Sequence, residues 1–132
     1  YVLAGDGELQ EGIVWEAAMQ AAHRHLDNLA AIVYLNGLQI DGKVSDVKEV
    51  GPVDEKFKSF GWNVIVVDGH SYDELIRAFA EAKECKTAPT AIIAHTHKGK
   101  GVSFMEDNAG WHGKAPGDEE LATAIEELGG DN

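Results

Sequence analysis

The stretch "AGDGELQEG", residues 4–12, follows the apolar run "YVL" and precedes a helical pattern. It places the acidic Asp6 between two glycines, where the backbone can turn sharply and approach a ligand closely. Bare amides at the start of a helix commonly bind phosphate. Asp6 would repel that phosphate unless a hard cation such as Mg²⁺ lay between them. The stretch therefore predicts a combined phosphate and metal site, whose other ligands come from elsewhere in the chain.

Four short apolar runs have the character of strands that are covered on both faces. They occupy residues 1–4, 29–34, 63–67 and 90–94, and helical patterns occupy 9–26, 54–60, 71–84 and 118–128. This alternation predicts an α/β fold, a parallel sheet with helices on both faces. Ligands of such sheets bind beyond the carboxyl ends of the strands. The two long loops, 37–51 and 98–117, are expected to be functional ones.

The composition limits the class of partner. Among 132 residues, 11 Lys and Arg stand against 23 Asp and Glu, a formal net charge of -12. Nucleic acid and anionic membrane surfaces would be repelled, so neither is an expected partner. The single cysteine, Cys85, excludes an internal disulfide, and no apolar run is long enough to span a bilayer. We expect a soluble, cytoplasmic protein, and an abrupt start inside a strand leads us to expect a fragment of a longer domain.

A second ligand follows the second predicted strand. Asp6 comes after the first strand and Asn36 after the next one. If the strands are neighbours, both side chains reach one crevice, and a backbone carbonyl near Leu38 adds a third oxygen. Mg²⁺ takes about six oxygens at roughly 2.1 Å, and diphosphate oxygens with a water would complete the set. The alternative is that the glycines and Asn36-Gly37 form ordinary turns. The combination of spacing and topology favours the metal site.

These residues also resemble a known family. A "GDG" followed by a strand-end Asn is typical of thiamine-diphosphate enzymes, and four further segments are similar to transketolases: "ELQEG", "NGLQIDG", "FGWNVIVVDGH" and "WHGKAP". The resemblance covers residues 1–130, essentially the whole chain. It implies the thiamine-diphosphate-binding fold and a single, truncated diphosphate-binding domain over residues 1–132.

The resemblance also implies ligand roles. Asp6 and Asn36 would bind Mg²⁺, or Ca²⁺ or Mn²⁺ in its place, through their side chains, and Leu38 through its carbonyl. The glycines Gly5 and Gly7 would belong to the cofactor site, with the Gly7 amide on the diphosphate. The remaining implied cofactor residue is Ile40, near the thiazolium ring.

Two further residues are implied to take part in catalysis. Glu11 would belong to a buried acidic network that links active sites across a dimer. His112 would reach the cofactor diphosphate and the substrate side. Lys98 and Lys114 flank this region in sequence and are candidates to neutralise phosphate charge. One departure is Tyr34, which stands where many relatives carry an acidic residue.

A zinc site is the competing metal hypothesis. His95 and His97 have His-x-His spacing, but they share a face only if the strand continues through both, and no third ligand has fitting spacing. We expect His70 to be a loop residue rather than a base.

The implied reaction is transfer of a two-carbon ketol unit between ketose and aldose phosphates. It would require a pyrimidine-binding domain or a C-terminal transketolase subunit as partner, because the glutamate that faces the aminopyrimidine is not in this chain. A homo-oligomer is expected. The alternative is a non-catalytic domain that keeps the fold for cofactor binding or interaction. The catalytic hypothesis is favoured because the chain retains Asp6, Asn36, Glu11 and His112.

Overall fold

The computed structural model describes residues 1–130. Its six strands are β1 (Val2–Gly5), β2 (Ala30–Leu35), β3 (Leu38–Gln39), β4 (Gly42–Lys43), β5 (Asn63–Asp68) and β6 (Thr90–His95). Four of them form one sheet in the order β1-β2-β6-β5, and every neighbouring pair is parallel. The predicted strands are confirmed, and only their ends differ. The first two strands are neighbours, which is the condition under which Asp6 and Asn36 are expected to reach one crevice.

Five α-helices accompany the sheet: α1 (Gly12–His23), α2 (Val44–Val47), α3 (Val53–Ser59), α4 (Tyr72–Glu84) and α5 (Asp118–Glu127). None of the helices within residues 1–130 combines the length and apolarity that a membrane crossing needs. The first turn of α4 is capped by Ser71, whose hydroxyl accepts the Glu74 N–H at 3.3 Å.

Two buried clusters show that helices cover both faces of the sheet. Alternate residues of a strand point to opposite faces. On β6, Ala91 and Ile93 pack in the cluster that includes Ala18 of α1 and Phe57 of α3. The next residues of β6 pack instead with α4, because Ile92 and Ala94 share a cluster with Ala78 and Ala82. The sheet is therefore sandwiched between α1 and α3 on one side and α4 on the other, as predicted.

The first helix differs from its prediction. Residues Glu8–Gln10 form a 3₁₀ turn, and α1 then runs only from Gly12 to His23. The chain turns at His25, whose φ of 50° lies in the left-handed region. The Leu26 N–H closes the helix end on the Ala21 carbonyl at 3.1 Å. The apolar spacing alone did not reveal these breaks, because Leu9 and Leu26 continue the helical period on either side of them.

The predicted loop at 37–51 contains short structure of its own. Strands β3 and β4 form a small antiparallel hairpin, with Leu38 opposite Lys43. The short helix α2 follows directly. The hairpin matters for function because it starts one residue after Gly37, at the carboxyl end of β2, and so folds over that end of the sheet.

Candidate functional site

Asp6 and Asn36 lie together at the carboxyl ends of β1 and β2. Gly5 pairs with Tyr34 across the two strands, so the residues that follow them leave the sheet side by side. The carboxylate of Asp6 accepts two backbone N–H groups: Gly37 at 2.6 Å and Gly7 at 3.0 Å. The Asn36 amide oxygen accepts the Leu38 N–H at 2.9 Å. The parallel pairing thus brings the two predicted metal ligands to one place.

The Asp6 carboxylate is buried without a charged partner. The residue is only 3% exposed, and it takes part in none of the ion pairs found among residues 1–130. Burial raises the pKa of the Asp6 carboxyl above its ordinary value of 3.8, although the N–H groups of Gly37 and Gly7 offset part of that effect. A buried carboxylate that lacks a compensating cation is unfavourable, and a divalent ion would supply the missing charge.

A cavity of about 510 Å³ opens beside this pair; we call it the Asp6 cavity. Every residue that the sequence assigned to the site lines it. They are Gly5, Asp6, Gly7, Glu11, Asn36, Leu38, Ile40 and His112. His112 arrives from the long loop after β6, far from the others in sequence. The Asp6 cavity therefore gathers the predicted residues from three separate segments of the chain.

The charges around the Asp6 cavity fit a metal with an anionic ligand. Three carboxylates line it, those of Asp6, Glu8 and Glu11, against the amino group of Lys98 and the imidazole of His112. This acidic excess alone would repel a diphosphate, whereas a hard cation would attract both the carboxylates and the diphosphate. Oxygen donors of a carboxylate, an amide and a carbonyl are those that Mg²⁺ prefers. The residues present fit a Mg²⁺-diphosphate group.

The glycines of the site serve close packing rather than unusual backbone angles. Gly7 has φ −62° and ψ −35°, a conformation open to any residue. A Cβ on Gly5, however, would lie 2.9 Å from the phenol end of Tyr34, and one on Gly7 would lie 3.1 Å from Cβ of Gln39. The Gly7 N–H donates to its neighbour Asp6 in this structure. Its predicted contact with a diphosphate stays a prediction.

Three lining residues had no place in the predicted set. Glu8 accepts the Gly5 N–H at 2.7 Å. Tyr34 lies over Gly5, and the buried Nε2 of Gln39 has no hydrogen-bond partner among the described residues. Tyr34 and Gln39 could have been proposed as site residues from the sequence, because both lie close to Asn36 in the chain. Only the pairing of β1 with β2 shows that they face the "GDG" turn.

The structure places the remaining candidates in different surroundings. Lys114 donates to Glu120 at 2.8 Å and lies over the Trp111 ring, outside the cavity lining. Glu11 is exposed in the single chain, so its predicted burial in a network across a dimer stays a prediction. His95 and His97 do not form a shared strand face, because β6 ends at His95.

A second, larger cavity of about 1060 Å³ lies along the carboxyl ends of β2, β5 and β6; we call it the His97 cavity. Asn36 and Leu38 line both this cavity and the Asp6 cavity. Its lining includes His95, His97, Lys100, Asp68 and Asp107. The Nδ1 of His97 lies 3.4 Å from Asp107 Oδ2, and both side chains are more than half exposed. Among the described residues, the charged side chains that line the His97 cavity are exposed or half-buried, so none of them is a buried charge without compensation.

Comparison with known proteins identifies the family to which the chain is similar. The profile of the family described as "Transketolase, thiamine diphosphate binding domain" matches residues 1–132. A 6-deoxy-6-sulfo-D-fructose transketolase subunit from a Clostridium species is 41% identical over 128 residues, which are 97% of this chain and 46% of that protein. Human transketolase is 46% identical over 114 residues, 86% of this chain and 18% of that protein. The chain thus spans just under half of the first relative and about a fifth of the second.

Solved structures show the same fold. Transketolase from Campylobacter jejuni superposes with a TM-score of 0.90 at 36% identity, covering 98% of this chain and 20% of that one. Transketolase from Leishmania mexicana superposes with a TM-score of 0.92 at 34% identity, covering 99% of this chain and 20% of that one. The arrangement of strands, helices and loops described above is therefore that of a segment within these larger enzymes.

Proposed function

The chain belongs to the transketolase family, in its thiamine-diphosphate-binding domain, and we propose that its Asp6 cavity binds Mg²⁺ together with the diphosphate of the cofactor. In this proposal the metal is held by the carboxylate of Asp6, the amide oxygen of Asn36 and the carbonyl of Leu38. Ca²⁺ or Mn²⁺ could replace Mg²⁺, because both also prefer oxygen ligands.

One observation carries the proposal: the Asp6 carboxylate is 3% exposed and forms none of the ion pairs found among residues 1–130. A structural turn would not need a buried charge, because an asparagine could also accept a backbone N–H at such a position. A metal site does need it. The buried charge is thus explained by a ligand that supplies positive charge.

The other residues of the cavity would bind and orient the cofactor. Lys98 would neutralise part of the diphosphate charge, and the imidazole of His112 would donate a hydrogen bond on the same side. Ile40 is 72% exposed in this chain, which suits an apolar contact that a ring could cover. Gly5 and Gly7 keep the floor of the cavity free of side-chain bulk, as their short distances to Tyr34 and Gln39 require.

When bound, thiamine diphosphate supplies a thiazolium ring that acts as an electron sink, which is the chemistry that transfer of a two-carbon ketol unit requires. We propose that the whole protein transfers such a unit between ketose and aldose phosphates. The composite site would be completed by a pyrimidine-binding domain or a C-terminal transketolase subunit in an oligomer. Glu11, exposed here and at the cavity rim, would then meet the partner. The relatives named as transketolase subunits support a division of this kind.

The test is a calorimetric titration of thiamine diphosphate into the full chain, with and without Mg²⁺, alone and with the partner subunit. We expect binding that requires the metal and that weakens about 100-fold in Asp6→Asn, since a metal-ligand charge is lost while the side chain keeps its shape. The matched control is Asp73→Asn, an exposed aspartate in the first turn of α4, which should bind as the wild type does.

The outcomes separate two functions. Metal-dependent binding followed by ketol transfer with the partner supports a catalytic component. Binding without transfer would indicate a domain that keeps the cofactor but not the reaction. Equal affinities with and without Mg²⁺, or in Asp6→Asn and the wild type, would contradict the proposed site.

A further inference from the structure

The loop that brings Lys98 to the Asp6 cavity begins directly after β6. His97 lines the His97 cavity, whereas the next residue, Lys98, lines the Asp6 cavity. The backbone at these two residues therefore lies between the two cavities. Whatever fixes the backbone at His97 also limits where Lys98 can lie.

Hydrogen bonds hold that short segment from both ends. On one side, the backbone N–H of His97 donates to Nε2 of His70 at 2.8 Å. On the other side, the Lys98 carbonyl accepts the N–H of Asp107 at 2.9 Å. Nδ1 of His97 lies 3.4 Å from Oδ2 of Asp107, and the two imidazole rings of His70 and His97 are stacked, 6.1 Å apart and 14° from parallel. The backbone at residues 97 and 98 is therefore hydrogen-bonded both to His70, in the loop after β5, and to Asp107, further along its own loop.

His70 is itself positioned for this contact by its own loop. Its N–H donates to Oδ1 of Asp68 at 2.8 Å, and the Asp68 N–H donates to Glu74 of α4 at 2.8 Å. The Gly69 N–H donates to the His95 carbonyl at 2.8 Å. The loop after β5 is therefore fastened to α4 and to the end of β6, and it presents the imidazole as a fixed acceptor. The bond requires Nε2 to be unprotonated, with the proton on Nδ1.

We propose that His70 is a positioning residue for the cofactor site: its Nε2 accepts the His97 N–H and so holds the backbone at the residue before Lys98, which lines the Asp6 cavity. The contact lies at the carboxyl ends of β5 and β6, and none of the predicted metal ligands takes part in it. Its consequence for cofactor binding rests on the proposed function. The link between His70 and His97 does not.

Three variants of His70 distinguish the effect of its hydrogen-bond acceptor from the effect of the packing of its ring. His70→Gln offers Oε1 at a reach similar to that of Nε2 and keeps an acceptor. His70→Phe keeps a flat ring but has no acceptor, and His70→Ala lacks both. His95→Phe is the control, because it changes an exposed histidine that lines the His97 cavity and makes none of the side-chain hydrogen bonds found in the described part of the chain.

The first readout is amide hydrogen exchange of His97 in the full chain without cofactor. We expect slow exchange in the wild type, His70→Gln and His95→Phe, and exchange at least about tenfold faster in His70→Phe and His70→Ala. The second readout is the affinity for Mg²⁺-thiamine diphosphate, measured in the complex with the partner subunit. It should fall about fivefold in the Phe and Ala variants, the effect of one neutral hydrogen bond, and be restored in the Gln variant.

Each result has a fixed meaning. Slow exchange in His70→Phe, or fast exchange in His70→Gln, overturns the acceptor role, because packing of the ring would then be the relevant property. Unchanged affinity in His70→Phe despite fast exchange overturns the coupling to the cofactor site. Failure of the wild type to bind the cofactor contradicts the proposed function instead, and the exchange experiment still decides the contact between His70 and His97.

Discussion

The polar and charged groups at the carboxyl ends of β1 and β2 are partnered differently from those at the carboxyl ends of β5 and β6. At β1 and β2, the chain buries Asp6 with no cationic partner in the described residues and leaves a cavity of about 510 Å³ beside it. At β5 and β6, the cavity is larger, about 1060 Å³, yet the polar groups of the loops satisfy one another. Asp68 accepts the His70 N–H, and His70 accepts the His97 N–H.

The difference shows that size is a poor guide to the ligand site. The charged side chains that line the larger cavity in the described part of the chain are exposed or half-buried, so no buried charge there requires a ligand. The smaller cavity contains a buried charge and a buried amide nitrogen, Nε2 of Gln39, that lacks a partner among the described residues. Unsatisfied buried polar groups are rare in folded proteins and call for an explanation. Here a bound metal and its anionic ligand provide one for the charge.

The largest effect on stability is expected at the carboxyl ends of β5 and β6, where the polar groups of the loops bond to one another. A Cβ on Gly69 would lie 2.5 Å from the Thr96 side chain and 3.0 Å from the His95 carbonyl. Gly69→Ala should therefore lower the free energy of unfolding by about 2 kcal/mol, because the loop after β5 must move away from β6. Urea denaturation measures this value.

The same change at Gly12 is the control. Gly12 begins α1, and a Cβ there meets nothing within 4 Å, so Gly12→Ala should leave stability unchanged or raise it by less than about 1 kcal/mol. If Gly69→Ala proves as harmless as Gly12→Ala, the close contact between the two loops is not a stabilising feature of this edge.

A matched pair of lysines tests which half of the edge takes the diphosphate. Lys98 lines the Asp6 cavity, and Lys100, two positions later, lines the His97 cavity. Lys98→Ala should weaken binding of Mg²⁺-thiamine diphosphate about tenfold, since a charge-assisted contact with a phosphate oxygen is lost. Lys100→Ala should change the affinity less than twofold. Calorimetric titration of both variants with the partner subunit present gives the comparison, and the reverse order would place the diphosphate in the His97 cavity.

The smallest effect on stability is expected for the hydrogen bonds that join the loop after β6 to α5. The Ser103 hydroxyl and N–H donate to the Glu127 carboxylate at 2.5 and 2.6 Å, and these bonds lower the pKa of Glu127 below its ordinary value of 4.5. The folded state thus binds the Glu127 proton less tightly than the unfolded state. The stabilisation is present above pH 4.5 and is lost as the pH falls through the lowered pKa.

Glu127→Gln removes this titration. The difference in free energy of unfolding between wild type and variant should therefore shrink as the solution is acidified from pH 5 downward, measured by urea denaturation at a series of pH values. This difference in free energy should also be small in high salt, because the Glu127 carboxylate is exposed. A difference that is independent of pH would show that Ser103 and Glu127 do not interact in solution.

Much of the fold was readable from the sequence. Continuous apolar runs predicted the four strands of the sheet, and their alternation with helical patterns predicted the parallel arrangement. The breaks at Gly12 and His25 were not readable, because a local backbone turn leaves the apolar period unchanged. The hairpin of β3 and β4 was missed for a related reason: strands of two residues carry no periodic signal.

For the candidate site, the sequence by itself determined which residues are chemically able to hold a metal and a diphosphate. Asp6, Asn36 and Leu38 follow from strand ends and glycine turns, and His112 from the resemblance of its segment to the family. Only the tertiary structure decided that Asp6 is buried outside the ion pairs of residues 1–130, that Tyr34 lies against Gly5, and that the His97 N–H donates to His70. Burial, charge compensation and contacts between loops depend on which strands are neighbours and in what register. Those are properties of the whole sheet, and no single segment of the sequence encodes them.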